Sequence, residues 1–518
     1  MKSIRLAISS QAKLWSLERP FSSFDFVDSN FGGCDSIRRL FSLSRSLEGK
    51  TLLEEDLPNC SDVTTENDEI TAIYPDYKIT GLKRLSFWSS RFSSLQRIKR
   101  RKSAELLGYA ILKKDTVPSL NVNDWHVFES VFIKYPHKHN CVSLARLFRV
   151  CVRQERFSIR GVKYCQQNGL NKSCAHVALK SLCASVIPSK EISYKKINQI
   201  AEKAFTPTSK QKKFLPRNGL QVNQIRAVLD NFNIGYMDID YGSSPNILRT
   251  IYPFQKLLYA GVESGGGALL AFSLQEDEGH IIPFFGHTFN KDTWIPDAEK
   301  AYFHVGETRY IPSDSWVSNF IAHDDNFGSN FCVPPLYLNK EKVQYVLEVY
   351  RTGCKYSGVM AEAIASLYLY SLLSSSKSSD NIWFKRLLRY VQSQQVILRA
   401  IALTKIEYAN HLQSLFDWKN RKELKAVSEA LRNSPNFPEY LWMIEVSVPD
   451  LFPANKRKVG EIVLNATDKP SASIDFKTFL LARFPGKYML LNQIKQNKPS
   501  FVELPSSLQS HTPIYMCN

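Results

Sequence analysis

A glutamine and a cysteine stand seven positions apart where a loop leads into an apolar helix pattern. The segment from Tyr164 to Ala175 reads YCQQNGLNKSCA and places Gln167 in the loop before Cys174. A helix N-terminus concentrates positive potential, which favours the thiolate form that attacks a carbonyl carbon. An upstream amide side chain and the cysteine's own backbone N–H can then stabilise the oxyanion. The pattern predicts a nucleophile at Cys174, with Gln167 or its neighbour Gln166 as the second oxyanion donor.

A histidine and an aspartate are spaced as the two ends of one hairpin. His280 opens the apolar run HIIPFF, and Asp297 closes the run TWIPD after the polar residues near 289–291. The midpoint between them falls at 288–289, so antiparallel pairing would bring both side chains to the same end of the hairpin. A carboxylate beside an imidazole fixes its tautomer. The spacing predicts His280 as general base and Asp297 as the residue that orients it.

Two nearby histidines are poorer candidates for the base. His176 follows Cys174 by two residues in the predicted helix, about 200° around its axis, so the two side chains diverge. His287 falls at the predicted turn and is expected to be exposed. We therefore prefer His280.

Two further groups offer carboxylates or metal ligands. Residues 323–328 read HDDNFG and contain Asp324 and Asp325, for which we expect an Asx-turn role. The H-x-H-x-C run at 137–141 lacks a fourth ligand with zinc-like spacing. We expect neither a metal nor another cofactor.

Apolar periodicity predicts the elements that would hold these side chains. Ser173 is the expected N-cap of a helix that opens at Cys174, and a second helix covers residues 220–232. Runs rich in aromatic and β-branched residues predict strands at 109–112, 125–133, 157–164, 268–274, 280–285, 293–297 and 316–321. Further along the chain, helices are predicted at 340–350 and 359–373, and strands at 396–406, 442–448 and 460–464.

The order of glutamine, cysteine-bearing helix, Gly-rich strand, histidine strand and aspartate after a Trp-containing strand resembles the papain-like cysteine peptidase superfamily. The layout is similar to the bacterial double-glycine leader peptidase-like branch, over about residues 160 to 335. The resemblance implies a thiol hydrolase that cleaves a peptide or isopeptide bond through a thioester. It also implies catalytic roles for Cys174, His280, Asp297 and Gln167. A transglutaminase-like acyl transferase would use the same residue types.

Charge favours an acidic partner of unknown kind. The chain has 67 basic and 49 acidic residues, a formal net charge of +18. Its sharpest basic run contains Arg97, Lys99, Arg100, Arg101 and Lys102. Such a run is typical of a solvated segment or of a patch that binds nucleic acid or an anionic surface. A third hypothesis is therefore a catalytically inactive basic binding protein.

Cysteine usage and hydropathy bear on the compartment. The ten cysteines show no paired spacing, and the N-terminus lacks the apolar core of a signal peptide. We expect a cytoplasmic protein without disulfides. The most apolar window, at 359–373, contains Glu362 and is too short to cross a bilayer, so no transmembrane segment is expected.

A length of 518 residues implies two or three domains. We expect an α+β fold with a papain-like core, in which the cysteine-bearing helix packs on an antiparallel sheet. The expected divisions are a poorly structured basic and acidic segment at 1–104, a catalytic domain with leading strands at 105–335, and an accessory domain at 336–518, for which we expect an α/β fold with α+β as the alternative.

Overall fold

A computed structural model describes most of the chain between Gln11 and Met516. The residues outside the description are 1–10, 59–62, 64–69, 135–139, 171–172, 188–191, 209–211, 216–217, 244–246, 276–277, 290–308, 376–381, 416–428, 430–431, 434–436, 453–455, 471–476, 486, 491–501, 504–511 and 517–518. In the described part, no helix combines the length and the apolar composition that a membrane crossing needs.

The chain contains both helices and strands, and its sheets are mainly antiparallel, so the fold is of the mixed α+β class that the sequence predicts. The helices are α1 (Ser23–Phe31), α2 (Asp35–Ser46), α3 (Cys174–Val186), α4 (Tyr194–Lys203), α5 (Val222–Asn231), α6 (Ile247–Ile251), α7 (Phe254–Glu263), α8 (Gly358–Ser375), α9 (Ile382–Gln392) and α10 (Lys405–Ser414). The strands are β1 (Ala12–Ser16), β2 (Thr51–Asp56), β3 (Lys78–Trp88), β4 (Leu106–Val117), β5 (Val122–Phe132), β6 (Asn140–Cys141), β7 (Arg146–Val152), β8 (Glu155–Tyr164), β9 (Tyr236–Asp240), β10 (Gly265–Gln275), β11 (Glu278–Phe289), β12 (Ile311–Pro312), β13 (Val317–Asp324), β14 (Gly328–Val333), β15 (Val343–Tyr350), β16 (Ile397–Thr404), β17 (Tyr440–Ser447), β18 (Arg457–Lys458), β19 (Gly460–Asn465), β20 (Phe479–Phe484), β21 (Lys487–Leu490), β22 (Val502–Glu503) and β23 (Thr512–Pro513).

The first sheet is built from residues 12–164 in the antiparallel order β1-β2-β3-β4-β5-β8-β7. Adjacent residues of β3 serve two separate cores, because side chains alternate across a strand. Phe87 packs with Phe31 and Leu40 under α1 and α2. Trp88 packs on the other face, with its ring centroid 4.9 Å from that of Phe157.

The prediction of a poorly structured segment over residues 1–104 was wrong for the described residues, which form two helices and three strands of this sheet. Charged side chains inside the strands hid the alternation. Glu55 and Arg84 are both buried and paired at 2.8 Å across β2 and β3, and Lys83 pairs with Glu54. The predicted boundary at 104 was wrong too, because the same sheet continues to Tyr164.

The second sheet has the order β14-β13-β11-β10-β15-β9, with β6 pairing to the end of β11. Helix α3 packs on one face through Ala178, Leu179 and Leu182, which meet Ile281 and Phe285 of β11. Helix α7 covers the opposite face. The helix predicted from Cys174 and the strands predicted at 268–274 and 280–285 are confirmed.

Two predictions in this region were wrong. Residues 288–289 are not a turn, because β11 continues through Phe289 and pairs with β13, matching Phe284 to Ala322. Residues 340–350 contain β15 instead of a helix. Both faces of this strand are buried, because Leu347 and Val349 pack in the core under α3 whereas Val343 and Val346 pack in the core under α7, so apolar residues fall on both faces.

The third sheet has the order β12-β16-β17-β19-β20-β21-β22. Helices α8 and α9 pack on one face and α10 on the other, which confirms the predicted helix at 359–373 and the strands at 396–406, 442–448 and 460–464. The α/β prediction for this region was wrong, because every pair except β12 with β16 is antiparallel. The predicted boundary at 335 was also wrong, because β12 lies before it in the chain but pairs with β16 of the third sheet.

A buried carboxyl group joins the second sheet to α8 and yields a pH prediction. Glu348 of β15 is fully buried and accepts a hydrogen bond from the Gly358 N–H at 2.9 Å. Burial raises the pKa of Glu348 to about 8, and the nearby charge of Glu362 acts in the same direction. The folded state therefore holds a proton that the unfolded chain releases near pH 4.5, so this group's contribution to stability falls as pH rises from about 4.5 to about 8.

We expect Glu348→Gln, which stays uncharged, to remove this part of the pH dependence. At pH 8 the variant should be more stable than the wild type by on the order of 2 kcal/mol, with little difference at pH 5. Urea unfolding at both pH values measures the change, and Glu341→Gln at an exposed position of the same segment is the control. An equal effect of Glu348→Gln at the two pH values would contradict the assignment.

Candidate active site

Cys174 is the first residue of α3 and is half-buried. The helix begins there because Ser173 accepts the first helical hydrogen bond, from the Val177 N–H, through its backbone carbonyl. The Ser173 hydroxyl makes no capping bond, so the predicted side-chain cap is absent at this end. The thiol therefore lies at a helix N-terminus whose N–H groups donate no hydrogen bond to the Ser173 side chain.

His280 lies near the start of β11 and meets the thiol. Its side chain is 5 % exposed, and the Cys174 thiol lies close enough to raise its pKa. The position is set by the pairing of β11 with β10, in which His280 stands opposite Phe272, whose ring lies 5.5 Å away edge-on. The fold brings together the two residues that the sequence predicts as nucleophile and base.

Two carboxylates lie on the other side of the imidazole. His280 Nε2 is 3.2 Å from Asp325 Oδ1 and 3.6 Å from Asp324 Oδ2. Both aspartates belong to the β13–β14 turn, where Asp324 pairs with Gly328. Since Nε2 faces these carboxylates, Nδ1 is the ring nitrogen left for the thiol.

The expected Asx turn at Asp324 is present, because its Oδ1 accepts from the N–H groups of Asn326 and Phe327 at 2.8 and 3.1 Å. That role does not exclude a functional one, since Oδ2 of the same carboxylate points toward His280. Sequence reasoning preferred the turn role alone. The signal it passed over was two adjacent acids at the end of a predicted strand that follows the histidine strand.

The charges of this group are strongly coupled. Burial alone would lower the pKa of His280, but the adjacent Asp324 carboxylate and Cys174 thiol and the charges of both aspartates raise it to about 10. Burial and the neighbouring Asp324 raise the pKa of Asp325 to about 6, against the opposing charge of His280. Burial also opposes ionisation of Asp324, yet the adjacent His280 and the hydrogen bonds from the turn amides hold its pKa below the usual value.

Asp297, the predicted orienting acid, lies outside the described residues, as does the predicted strand at 293–297. The hairpin argument for it does not hold, because β11 pairs with β13 instead of with a strand directly after residue 289. The carboxylates that the described structure places beside His280 are those of Asp324 and Asp325.

The two glutamines have different partners. Gln166 accepts a hydrogen bond from the Val127 N–H at 2.9 Å and is thereby tied to the first sheet. Gln167 donates to Asn326 Oδ1 at 2.7 Å, one residue beyond Asp325. Of the two, Gln167 is the one whose amide group contacts the turn that carries the acids, and its oxyanion role stays a prediction.

The competing histidines are both occupied elsewhere. His176 is buried with Nε2 2.8 Å from Asn198 Oδ1, and burial lowers its pKa to about 4. His287 was predicted to be exposed, but it is fully buried in β11, 2.7 Å from Glu263 Oε1. That prediction failed because the strand runs past it.

Cys141 lies close to Glu263 and His287, so three potential metal-ligand atoms converge in the core. Cys141 is disulfide-bonded, however, which leaves the group without a thiolate ligand.

The disulfide at Cys141 also means that the expectation of no disulfides was wrong. Spacing along the chain reports only local pairs, and folding brings distant cysteines together. The cysteine pattern thus no longer argues for a reducing compartment. The histidines at 137 and 139 lie outside the described residues.

The basic run forms a short 3-10 turn at the edge of the first sheet. Ile98 is buried and anchors it, whereas Arg97, Lys99 and Arg100 are exposed. Arg101 pairs with Glu105 at 3.1 Å. The turn is a surface feature that the candidate site does not use.

Helix α2, which packs on the first sheet, contacts the β13–β14 turn that carries Asp324 and Asp325. We call this contact the clamp. Arg39 donates to the backbone carbonyls of Ser329 and Asn330 at 3.0 and 2.5 Å, and its guanidinium lies 4.5 Å from the centre of the Phe331 ring. Gly328 has a φ of 113°, and a Cβ there would lie 3.0 Å from the Arg39 Cβ. The turn therefore packs directly against α2. This helix lies within residues 1–104, for which the sequence predicted little structure.

We expect Arg39→Ala to destabilise the protein by about 1 to 3 kcal/mol, because it leaves buried carbonyls without donors. The reactivity of Cys174 should fall with it, since the acids lose their support. Arg38→Ala is the control on the same helix, because Arg38 forms partly exposed ion pairs with Asp28 and Asp35, and such pairs contribute little to stability. Thermal melts and thiol alkylation rates test both, and equal effects of the two variants would contradict the clamp.

Comparison with known proteins adds no family to this geometry. No protein-family model matches the chain, no curated protein matches it, and no solved structure matches it.

Proposed function

We propose that the chain is a papain-like thiol hydrolase that cleaves a peptide or isopeptide bond through a thioester on Cys174. The observation that carries the proposal is the Cys174 thiol at the start of α3, next to a buried histidine whose Nε2 faces two carboxylates. A thiol, an imidazole and an orienting acid in this order are the parts of an activated nucleophile.

The chemistry would proceed in two halves. His280 takes the thiol proton, and Sγ attacks the carbonyl carbon of the scissile amide. As the tetrahedral intermediate collapses, the C–N bond breaks and His280 returns the proton to the leaving amine. Water deprotonated by His280 then hydrolyses the thioester, which frees the acid product and restores the thiol.

The oxyanion of each tetrahedral intermediate needs two donors. The backbone N–H of Cys174 at the helix N-terminus is one, and the Gln167 side-chain amide is the proposed second. Gln167 now donates to Asn326. We propose that a bound substrate draws it from that exposed partner toward the oxyanion.

The two aspartates divide the supporting work. Asp325 is 5 % exposed and has the shorter approach to Nε2, so we assign it the orienting role. Asp324 holds the turn through its Oδ1 and adds a second negative charge near the ring. Together they favour a protonated imidazole beside the thiol.

Alkylation with iodoacetamide followed by peptide mass spectrometry tests the proposal without a known substrate. We expect Cys174 to react at least about 10-fold faster than Cys151, which is also half-buried but has no such neighbours. Cys174→Ala should also lose cleavage of a mixed peptide library. Labelling of Cys174 no faster than Cys151, together with undiminished cleavage by Cys174→Ala, would refute the hydrolase.

A labelled primary amine added to the same cleavage reaction separates hydrolysis from acyl transfer. Hydrolysis predicts free carboxyl products with no amine incorporated. Incorporation of the amine in place of water would replace the hydrolase proposal by a transglutaminase-like transferase that uses the same residues.

A further inference from the structure

The imidazole and the two aspartates lie close together without forming hydrogen bonds of normal geometry. An N–H···O hydrogen bond is about 2.7 to 3.2 Å long, and Nε2 of His280 lies 3.2 Å from Asp325, at the upper limit, and 3.6 Å from Asp324, beyond it. Among the described residues, neither Nε2 nor either oxygen of Asp325 has a hydrogen-bond partner of acceptable geometry, although both side chains are buried. Buried polar atoms are rarely left in this state.

The same spacing fits ligands around a cation. Tetrahedral zinc holds nitrogen and oxygen ligands at about 2.0 to 2.2 Å, which puts neighbouring ligand atoms about 3.3 to 3.6 Å apart. Ligand atoms of His280, Asp324 and Asp325 all lie within 4.8 Å of one another. An imidazole with two carboxylates suits zinc-like transition metals, whereas calcium and magnesium prefer oxygen ligands alone.

We propose that His280 Nε2, Asp324 Oδ2 and a carboxylate oxygen of Asp325 bind one Zn²⁺-type cation that reversibly inhibits the thiol. The turn holds the Asp324 carboxylate in a fixed orientation, because the N–H groups of Asn326 and Phe327 donate to Oδ1 and leave Oδ2 for the ion. The Asp324 side chain is 17 % exposed and marks the entry side, where a water can fill the fourth position.

Inhibition follows from the lone pairs of the imidazole. A cation on Nε2 occupies that nitrogen, and the neutral ring then carries its proton on Nδ1, which faces the thiol. No ring lone pair remains to accept the thiol proton. This inhibitory half rests on the proposed hydrolase, whereas the binding half does not.

Binding is tested on Cys174→Ala protein, in which the thiol cannot hold the metal. Competition with a chromophoric chelator should show one Zn²⁺ per chain, and Zn²⁺ should raise the melting temperature. Adding Asp324→Asn or Asp325→Asn should each weaken Zn²⁺ binding at least about 10-fold and abolish the thermal shift. Asp324→Asn keeps an Asx turn, so its fold is preserved.

Asp240→Asn is the control for binding, because Asp240 also caps a turn, accepting from the N–H groups of Gly242 and Ser243. It should leave the affinity unchanged. Absence of Zn²⁺ binding to Cys174→Ala, or unchanged binding in both aspartate variants, would overturn the site while leaving the hydrolase test untouched.

Inhibition is tested on the thiol of the otherwise wild-type chain. Zn²⁺ should slow alkylation of Cys174 at least about 10-fold, a chelator should restore it, and Asp325→Asn should lose this protection. Protection that persists in Asp325→Asn would mean that zinc acts on the thiol directly and would overturn the inhibitory mechanism. A wild-type Cys174 that is unreactive even with chelator present would instead count against the hydrolase.

Discussion

Replacing His280 with glutamine is expected to lower the rate of thioester formation at Cys174 by about 100- to 10,000-fold, the usual contribution of a general base. Glutamine fills part of the same space between β10 and the acid turn but cannot accept the thiol proton. Among the described residues, no other histidine contacts the thiol. His176 is held by Asn198, and His287 is held by Glu263.

Chelator-treated protein and a peptidyl electrophile give the rate without interference from metal. His176→Gln is the control, because this residue lies on the same helix as Cys174 and its change should alter stability more than rate. An alkylation rate of His280→Gln within about threefold of the wild type would remove His280 from the mechanism, since even a weak general base contributes far more. A large loss in His176→Gln would point to the helix instead of the base.

Replacing Arg399 with methionine is expected to destabilise the protein by about 3 to 5 kcal/mol, the usual loss when one partner of a buried ion pair is removed. Arg399 of β16 donates to both oxygens of Glu263 at 3.0 Å and to Glu445 at 3.0 Å. It is 1 % exposed, and its guanidinium lies 5.1 Å from the centre of the Phe289 ring.

The consequence reaches across two sheets. Glu263 belongs to α7 of the second sheet and also bonds His287, whereas Glu445 belongs to the third sheet. Burial alone would raise the pKa of Glu263, and the charge of Arg399 is the main reason that it is lowered instead. Without the guanidinium, Glu263 is left as a buried charge that keeps its hydrogen bond with His287.

Urea unfolding midpoints of Arg399→Met and Arg386→Met provide the comparison. Arg386 pairs with Asp450 at 3.1 Å, but both side chains are more than half exposed, so its loss should cost about 1 kcal/mol or less. Combining Glu263→Gln with Arg399→Met should recover part of the stability. Equal losses for the two arginine variants would show that burial does not set the energy of this pair.

Local sequence patterns were sufficient to predict the helix and the strand that carry Cys174 and His280. Cys174 opens a helix because apolar residues at three- and four-residue steps follow it, and His280 opens a strand because β-branched and aromatic residues do. Both signals lie within a dozen residues of the side chain concerned. Strands of the third sheet were predicted for the same reason.

The surroundings of the imidazole depend on strand pairing between distant parts of the chain. The pairing of β11 with β13 places Asp324 and Asp325 beside His280, and nothing near His280 in the chain encodes that register. The assumed short hairpin led instead to Asp297. Strand register is set by long-range packing, which a local pattern does not report.

In the first sheet, local sequence patterns failed to predict strands because charged residues lie in the core. Glu55 and Arg84 interrupt the apolar alternation of their strands, and they are acceptable in the core only because each neutralises the other across β2 and β3. The sequence around Arg39 likewise suggests an ordinary surface charge, whereas in the folded chain its guanidinium donates to the Ser329 and Asn330 carbonyls. The nucleophile and its histidine are therefore local features of the sequence, whereas the acids and their support exist only in the folded chain.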